Sequence, residues 1–303
     1  MIKFITYIII YTFGILTSLA QIKSEQITLY NKSIQLPGTL TYSSNNLPLV
    51  IWVHGSGGVD RNGNPSEFIK QFRESINKND ISFFSYDKRT ANPSNLKFLK
   101  EDGVYFSDFI DDVKVVVNHF KNDKRFSKII LIGHSQGSLV AMMALNNVDK
   151  YISLAGVGET IDKTLVKQTT KQNIELGRVT KNHLKELKET GKIENINPFL
   201  VSLFAKQNQP FLLSWIEIDP LLQIKKVKIP TLIINGDKDI QVSVNDAEKL
   251  HKAKQDSELV IIKNMNHILK NIEKDEDNLR SYTSKDYPIS KELIVSISKF
   301  IKE

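Results

Sequence analysis

The chain contains no cysteine, which excludes disulfide bonds and lipid attachment at a cysteine and leaves the redox compartment unread from thiols. Charge of one sign is also lacking: 41 Lys and Arg stand against 34 Asp and Glu, for a net charge of +7. Lys3 is the single charge within positions 1–20, so the rest of the chain carries +6. That excess is spread along the sequence, with no basic stripe interleaved with aromatics, and it gives no support to nucleic-acid binding. No internal repeat and no low-complexity tract occurs, which argues against solenoids and linker-like segments. Glycine is sparse, with 14 residues in 303, so the two places where it clusters carry information.

The first cluster to weigh is Gly133-His134-Ser135-Gln136-Gly137. It follows the apolar run Ile129–Ile132 and precedes Ser138-Leu139-Val140-Ala141-Met142-Met143-Ala144-Leu145, a context that reads as buried strand, sharp turn and helix. A serine on such a turn exposes its Oγ at the rim of a sheet, and small flanking residues let strand and helix close around it. Ser135 is therefore the candidate nucleophile. The bland alternative is a glycine-rich turn with an N-capping serine.

A serine hydroxyl is a weak nucleophile and needs a histidine base with an acid to orient it. Among six histidines, His267 lies just past the apolar run Leu259–Ile262, in a loop of the kind that gathers catalytic groups at strand ends. His119 reads as decoration of a helix C-terminus, and His183 and His251, set among Lys and Glu, read as solvated. His134 packs beside the turn as the variable residue of the pentapeptide. For the acid, Thr231–Ile234 is a buried strand followed by Asn235-Gly236-Asp237-Lys238-Asp239. Asp239 is the better placed to reach over the sheet edge to His267, whereas Asp237 sits in the turn and suits a local backbone bond.

The second glycine cluster, His54-Gly55-Ser56-Gly57-Gly58, follows the apolar run Leu49–Val53. Its glycines allow backbone N–H groups to turn inward, so the Ser56 N–H is expected to pair with that of Gln136 as an oxyanion hole, with Gly57 as a substitute for Ser56. No Gly-Lys-Ser/Thr follows, and no dinucleotide pattern is present, which disfavours a phosphate-binding loop. No cofactor and no metal are expected.

The strands fall near 26–30, 38–42, 48–53, 81–86, 128–132, 150–154, 230–234 and 258–262, and the helices over 66–78, 106–120, 136–147, 244–253 and 289–301. Alternation of this kind predicts an α/β fold with a mostly parallel central sheet and helices on both faces. The first two strands are expected to form an antiparallel edge. Residues 156–214 are too long for a connection and predict an inserted helical cap, dividing a core of 21–155 and 215–303. Its first part, Asp162 to Lys192, is Lys-rich with one apolar stripe. Its second concentrates apolar and aromatic residues, and Phe199, Phe204 and Phe211 are the expected substrate-binding residues. The alternative is that they attach the cap to the core. The run Glu273–Asp277 reads as an exposed loop.

Residues 1–20 read as a signal peptide, with Lys3 before an apolar run through Leu16 and Ser18-Leu19-Ala20 as the cleavage site. This predicts export across the cytoplasmic membrane, to the periplasm or the exterior. An uncleaved membrane anchor is the alternative. It is disfavoured by Thr6, Tyr7, Tyr11 and Thr12 and by the short length of the run.

Taken together, the HGSGGVDRNGN segment from His54, Tyr86-Asp87-Lys88-Arg89, the GHSQG pentapeptide, Asp219-Pro220, and GDKDIQV before NMNHILK resemble an α/β-hydrolase of the serine esterase and serine aminopeptidase-like branch. The order Ser135, Asp239, His267 matches that fold's triad order. The resemblance runs from about Ile27 to the C-terminus and is similar to bacterial esterases with a Gly-Ser-Gly loop followed by Asp-Arg. It implies hydrolysis of a small-molecule carboxylic ester through an acyl-serine intermediate, without a cofactor. One departure is Thr90, where the family usually has glycine, so no binding role is carried onto Asp87 or Arg89. The rivals are an aminopeptidase or acylpeptide-type hydrolase, which wants an acidic cap where this one is basic, and a non-catalytic binding protein, which predicts a broken triad.

Overall fold

The computed structural model describes residues 21–303, so the expected signal peptide lies outside the described residues. Eight strands form one sheet in the order β1-β2-β4-β3-β5-β6-β7-β8: β1 (Lys23–Asn31), β2 (Ile34–Tyr42), β3 (Leu47–Val53), β4 (Ser82–Tyr86), β5 (Phe126–His134), β6 (Lys150–Leu154), β7 (Thr231–Gly236) and β8 (Glu258–Ile262). β1 pairs antiparallel with β2 and β2 with β4, and every later pair is parallel.

The central strands are buried on both faces, which is why they read as unbroken apolar runs. In β3, Leu49, Ile51 and Val53 enter one core and Val50 and Trp52 the other; in β5, Ile129 and Leu131 divide from Ile130 and Ile132 in the same way. Helices α1 (Phe68–Asn77) and α12 (Lys291–Lys302) cover the Trp52 face. Helices α3 (Phe106–Phe120), α4 (Gln136–Met142) and α10 (Val244–Ala253) supply the opposite core.

Helix starts are set by local side chains. The Tyr105 N–H donates to Asp108 Oδ2 at 2.7 Å at the head of α3, and the Ser243 N–H and hydroxyl donate to Asp246 Oδ2 at 3.1 and 2.5 Å at the head of α10. These satisfy donors that the first helical turn leaves free, and carboxylates there favour the dipole. Helix α4 ends at Met142, five residues before its expected end. The amides of Met143 and Ala144 bond three residues back instead of four, at 3.2 and 2.9 Å, tightening the last turn out of α geometry. Two further short helices, α2 (Leu96–Asp102) and α11 (Asp277–Ser281), have too few turns to show periodicity. The latter begins on the last residue of a charge run expected to be loop throughout.

Between β6 and β7 lie α5 (Ile161–Gln172), α6 (Ile174–Thr190), α7 (Val201–Phe204), α8 (Gln209–Ile216) and α9 (Pro220–Ile224). Helices α5 and α6 pack on each other, and α8 joins the body of the protein through α3. That joint is aromatic: Phe106 stacks on Trp215 with centroids 5.5 Å apart, Phe109 meets Phe211 edge-on at 5.5 Å, and the Phe106 N–H donates to Ser214 Oγ at 2.9 Å. No described helix is long and apolar enough to cross a membrane.

A buried ion pair ties α3 to the chain after β4. Arg89 binds Asp112 through Nε and Nη2, both at 2.7 Å, and donates to the Asp108 carbonyl at 3.0 Å. Its geometry is bidentate, and both side chains are buried. Removing the Asp112 carboxylate leaves the buried guanidinium only the Asp108 carboxylate, 3.3 Å from Nη1, and takes away both short bonds. Asp112→Ala should therefore lower the unfolding free energy by about 3–5 kcal/mol, read from urea denaturation midpoints against the parent; a loss below about 1 kcal/mol would show the pair to be solvated.

Candidate active site

Ser135 sits at the junction of β5 and α4 with φ 54° and ψ −121°, a conformation that side chains with a Cβ rarely adopt. The strain is held from several sides. Its N–H donates to the Leu154 carbonyl at 2.8 Å and its carbonyl accepts from the Ser138 N–H at 3.0 Å. A Cβ on Gly137 would stand 2.2 Å from the Val53 carbonyl oxygen, and one on Gly133 would stand 2.4 Å from that of Gly137. Only glycine lets β3, β5 and α4 approach this closely. From Leu131 to Val140 every residue is buried except Ser135, which is half-buried. The fold thus presents one side chain of this segment to solvent.

His267 and Asp239 meet in a side-chain hydrogen bond, Nδ1 to Oδ2 at 2.8 Å. They come from the loops after β8 and β7, neighbouring strands in the sheet. The Asp239 side chain is 0% exposed and that of His267 5%. The other Asp239 oxygen accepts the N–H groups of Gln241 and Val242, each at 2.8 Å, so the carboxylate is anchored as well as paired. Asp237 is exposed and accepts the Asn264 N–H at 2.7 Å. That bond joins the two loops and leaves Asp237 away from the histidine.

His134 lies under this loop. Its Nε2 donates to the His267 carbonyl oxygen at 2.7 Å; a carbonyl can only accept, so the proton is on Nε2. Its ring stacks on Trp52 at 5.7 Å and tilts against His267 at 4.9 Å. Burial, with the nearby His267 adding to it, pushes its pKa down to about 3. His54 is likewise buried, held at about 4 chiefly by desolvation, with its Nε2 hydrogen-bonded to the Tyr86 carbonyl.

The loop after β3 lies against the elbow. A Cβ on Gly55 would stand 3.2 Å from both Ser135 Cβ and His134 Nδ1. Ser56 is exposed at the loop's tip, and Gly57 has φ 87°, in the left-handed region. The segment after β4 braces this loop: the Lys88 N–H donates to the Val59 carbonyl at 3.1 Å, and the Thr90 hydroxyl to that of Gly57 at 3.3 Å. Thr90, where the resembling family has glycine, thus makes a bond that glycine cannot. Asp87 binds Arg61 through both oxygens, at 2.9 and 2.8 Å, and Arg89 binds Asp112.

The three phenylalanines of the expected substrate wall lie in different surroundings. Phe204 is fully buried and packs edge-on against His183 at 5.3 Å, so its surface is spent inside the α6–α8 layer. Phe199 is 83% exposed. Phe211 is half-buried and engages Phe106, Phe109 and Trp215, which makes it part of the joint to α3. His183, expected in solvent, is buried and accepts the Asn197 N–H at 3.1 Å. His251 is half-buried and bonds Ser257 Oγ at 2.9 Å. The residue that sequence reasoning passed over is Lys88, whose one signal is a lysine two positions beyond the aromatic-rich strand Ser82–Tyr86. Among the described residues, no group of three or more His, Asp or Glu side chains is placed to hold a metal ion.

The two depressed histidine pKa values set an acid sensitivity. Unfolded, His54 and His134 take up protons near pH 6.5; folded, they resist until about 4 and about 3. The unfolded state therefore binds more protons in that window, and stability is lost as pH falls below about 6.5. The unfolding free energy should drop by up to about 1.4 kcal/mol per pH unit for each of them. Urea melts of the protein and of His134→Phe between pH 7 and 5 test this, and equal acid slopes in the two would sink it.

The model of the family described as BD-FAE matches residues 34–253. Esterase EstD of Thermotoga maritima is 26% identical over 250 residues, covering 77% of this chain; the chain spans 58% of the length of that relative. Among solved structures, Est1E from Butyrivibrio proteoclasticus superposes with a TM-score of 0.59 at 16% identity, covering 92% of this chain and 99% of that one. A structure of Est1E holds ferulic acid. The Pyrococcus furiosus esterase Pf2001 gives a TM-score of 0.63 at 18% identity, covering 92% and 91%. The sheet order, the strained serine after β5 and the family match lead to one assignment: the chain has the α/β-hydrolase fold and belongs to the BD-FAE family.

Proposed function

We propose that this protein is an exported serine hydrolase that cleaves carboxylic esters, with Ser135 as nucleophile, His267 as general base and acid, and Asp239 as the group that orients the imidazole. The observation that carries this reading is the buried 2.8 Å pair of His267 Nδ1 and Asp239 Oδ2, held at the same sheet end as the strained serine. With Nδ1–H given to Asp239, the Nε2 lone pair is free to accept a proton.

Ser135 Oγ attacks the ester carbonyl as its proton passes to His267 Nε2. Negative charge then develops on the carbonyl oxygen, where the N–H groups of Gln136 and Ser56 are the proposed donors. His267 protonates the departing alcohol, leaving an acyl-serine. It then takes a proton from water, whose oxygen attacks the acyl carbon, and returns that proton to Ser135 Oγ as the acyl C–Oγ bond breaks and the acid leaves. The esterases to which this chain is similar support the choice of ester over amide. The relation to Est1E adds an aromatic acyl group to the substrates worth testing.

Ser135→Ala should abolish hydrolysis of p-nitrophenyl acetate and methyl ferulate with an unchanged circular dichroism spectrum, and full activity in that variant would overturn the nucleophile assignment. Asp239→Asn should lower kcat by about 10³–10⁴-fold, measured on the same substrates. Export rests on the apolar run and Ser18-Leu19-Ala20 of the N-terminal segment. Mass spectrometry of protein recovered from outside the cytoplasm should give a chain beginning at Gln21; an intact Met1 would refute cleavage.

A further inference from the structure

We propose that Lys88 is a positioning residue for the oxyanion donors: its ammonium bridges the loop that follows β3 to the first residue of α4 and holds the two donor-bearing segments at one separation. Resting on the hydrolase reading above, this inference concerns a residue to which that reading gives no part. Lys88 Nζ donates to the Gly55 carbonyl at 2.7 Å and to Gln136 Oε1 at 2.7 Å. Gly55 precedes Ser56, and Gln136 follows Ser135. The two residues proposed to carry the oxyanion N–H groups are thus joined through a single side chain that touches neither donor.

The surroundings of Lys88 are unusual for a lysine. The residue is 5% exposed, and both hydrogen-bond acceptors are neutral. Its third side is closed by the Phe109 ring, whose centroid lies 4.3 Å from Nζ, a cation–π contact. The free space between Lys88, His54 and Asp112 is about 10 Å³, at the lower limit for one water. Asp112, the carboxylate whose field reaches it, is already held by both Arg89 nitrogens. Desolvation accordingly pulls the lysine down to about 7.

Burying an ammonium among neutral partners is costly, and an apolar side chain of the same volume would pack there without that cost. Local rules are broken in this way where a site needs the group. Ammonium hydrogens give two short bonds in fixed directions. The carbonyl they grip belongs to a loop that a Lys88 backbone bond and the Thr90 hydroxyl hold only further out, at Val59 and Gly57, and the carboxamide to the first residue of α4. Without Lys88, the Gly55 peptide and the Gln136 side chain each lose a buried partner. The loop is then free to shift by the fraction of an ångström that decides oxyanion stabilisation.

Steady-state hydrolysis of p-nitrophenyl acetate by the parent, Lys88→Met, Gln136→Leu and the double variant tests the bridge, with Ser135→Ala as the inactive reference. Lys88→Met should lose about 10- to 100-fold in kcat with KM within about threefold. The double variant should be no worse than Lys88→Met alone, because each change breaks the same link. A kcat within about twofold of the parent, a loss carried by KM, or additive losses would overturn the proposal. Should Lys88→Met fail to fold, Gln136→Leu alone decides it in the same terms, with unchanged kcat as the refuting result. Activity that survives in Ser135→Ala would instead defeat the hydrolase reading, whatever the Lys88 variants do.

Discussion

The close approach of backbone to backbone at the elbow is the constraint on which the rest depends. The end of β3 and the first turn of α4 touch through main-chain atoms, with no room for a Cβ at Gly137. That contact fixes where α4 begins, and so where the amides around Ser135 point. It also forces the left-handed serine that lifts a hydroxyl out of an otherwise buried segment. Strain of this kind persists only where surrounding structure over-determines it. Here the determinants are the Leu154 carbonyl from β6, the Ser138 amide and the glycines on either side.

Around that point the two cores meet the chemistry from opposite faces. From one, Trp52 reaches His134, and His134 holds the carbonyl of His267. From the other, Phe211 of α8 rests on Phe109, and Phe109 closes over Lys88, which grips Gly55 and Gln136. His267 is thus steadied through an aromatic stack beneath the sheet, and the loop after β3 through a second stack above it. In both chains of contact a buried nitrogen, neutral in His134 and basic in Lys88, forms the last link to the main chain. Side chains placed this way are locked by packing before any substrate arrives, which is what pre-organisation requires.

The fold was legible in the sequence because the central strands are buried on both faces and read as continuous β-branched runs. All eight strands overlap the expected positions, and α3 and α10 begin and end at the residues their periodicity and acidic first turns indicate. The elbow was equally open to reading, since its glycines are a steric demand that leaves a fixed spacing. The wall residues and the buried polar groups were not. Phe199, Phe204 and Phe211 have one composition and three fates, exposed, buried and shared, because composition shows which side chains seek cover and not which neighbours supply it. His183 and Lys88 escaped for a related reason: each is polar in sequence and buried in space, and the partners that make this tolerable lie 14 and 33 to 48 residues away.

The helices α5 to α8 leave the sheet after β6 and the chain returns to it at β7, a strand paired directly beside the one it left. A parallel crossover of this kind needs little more than a dozen residues, and α9 lies just before the return. The four preceding helices are therefore surplus to closing the sheet. They are fastened to the body through α3 by a patch of stacked rings, and a seam of that sort lets a segment be shortened, exchanged or grafted while the strands on either side keep their register. Diversification can proceed on that side of the molecule without disturbing the serine, the histidine or the carboxylate beneath it.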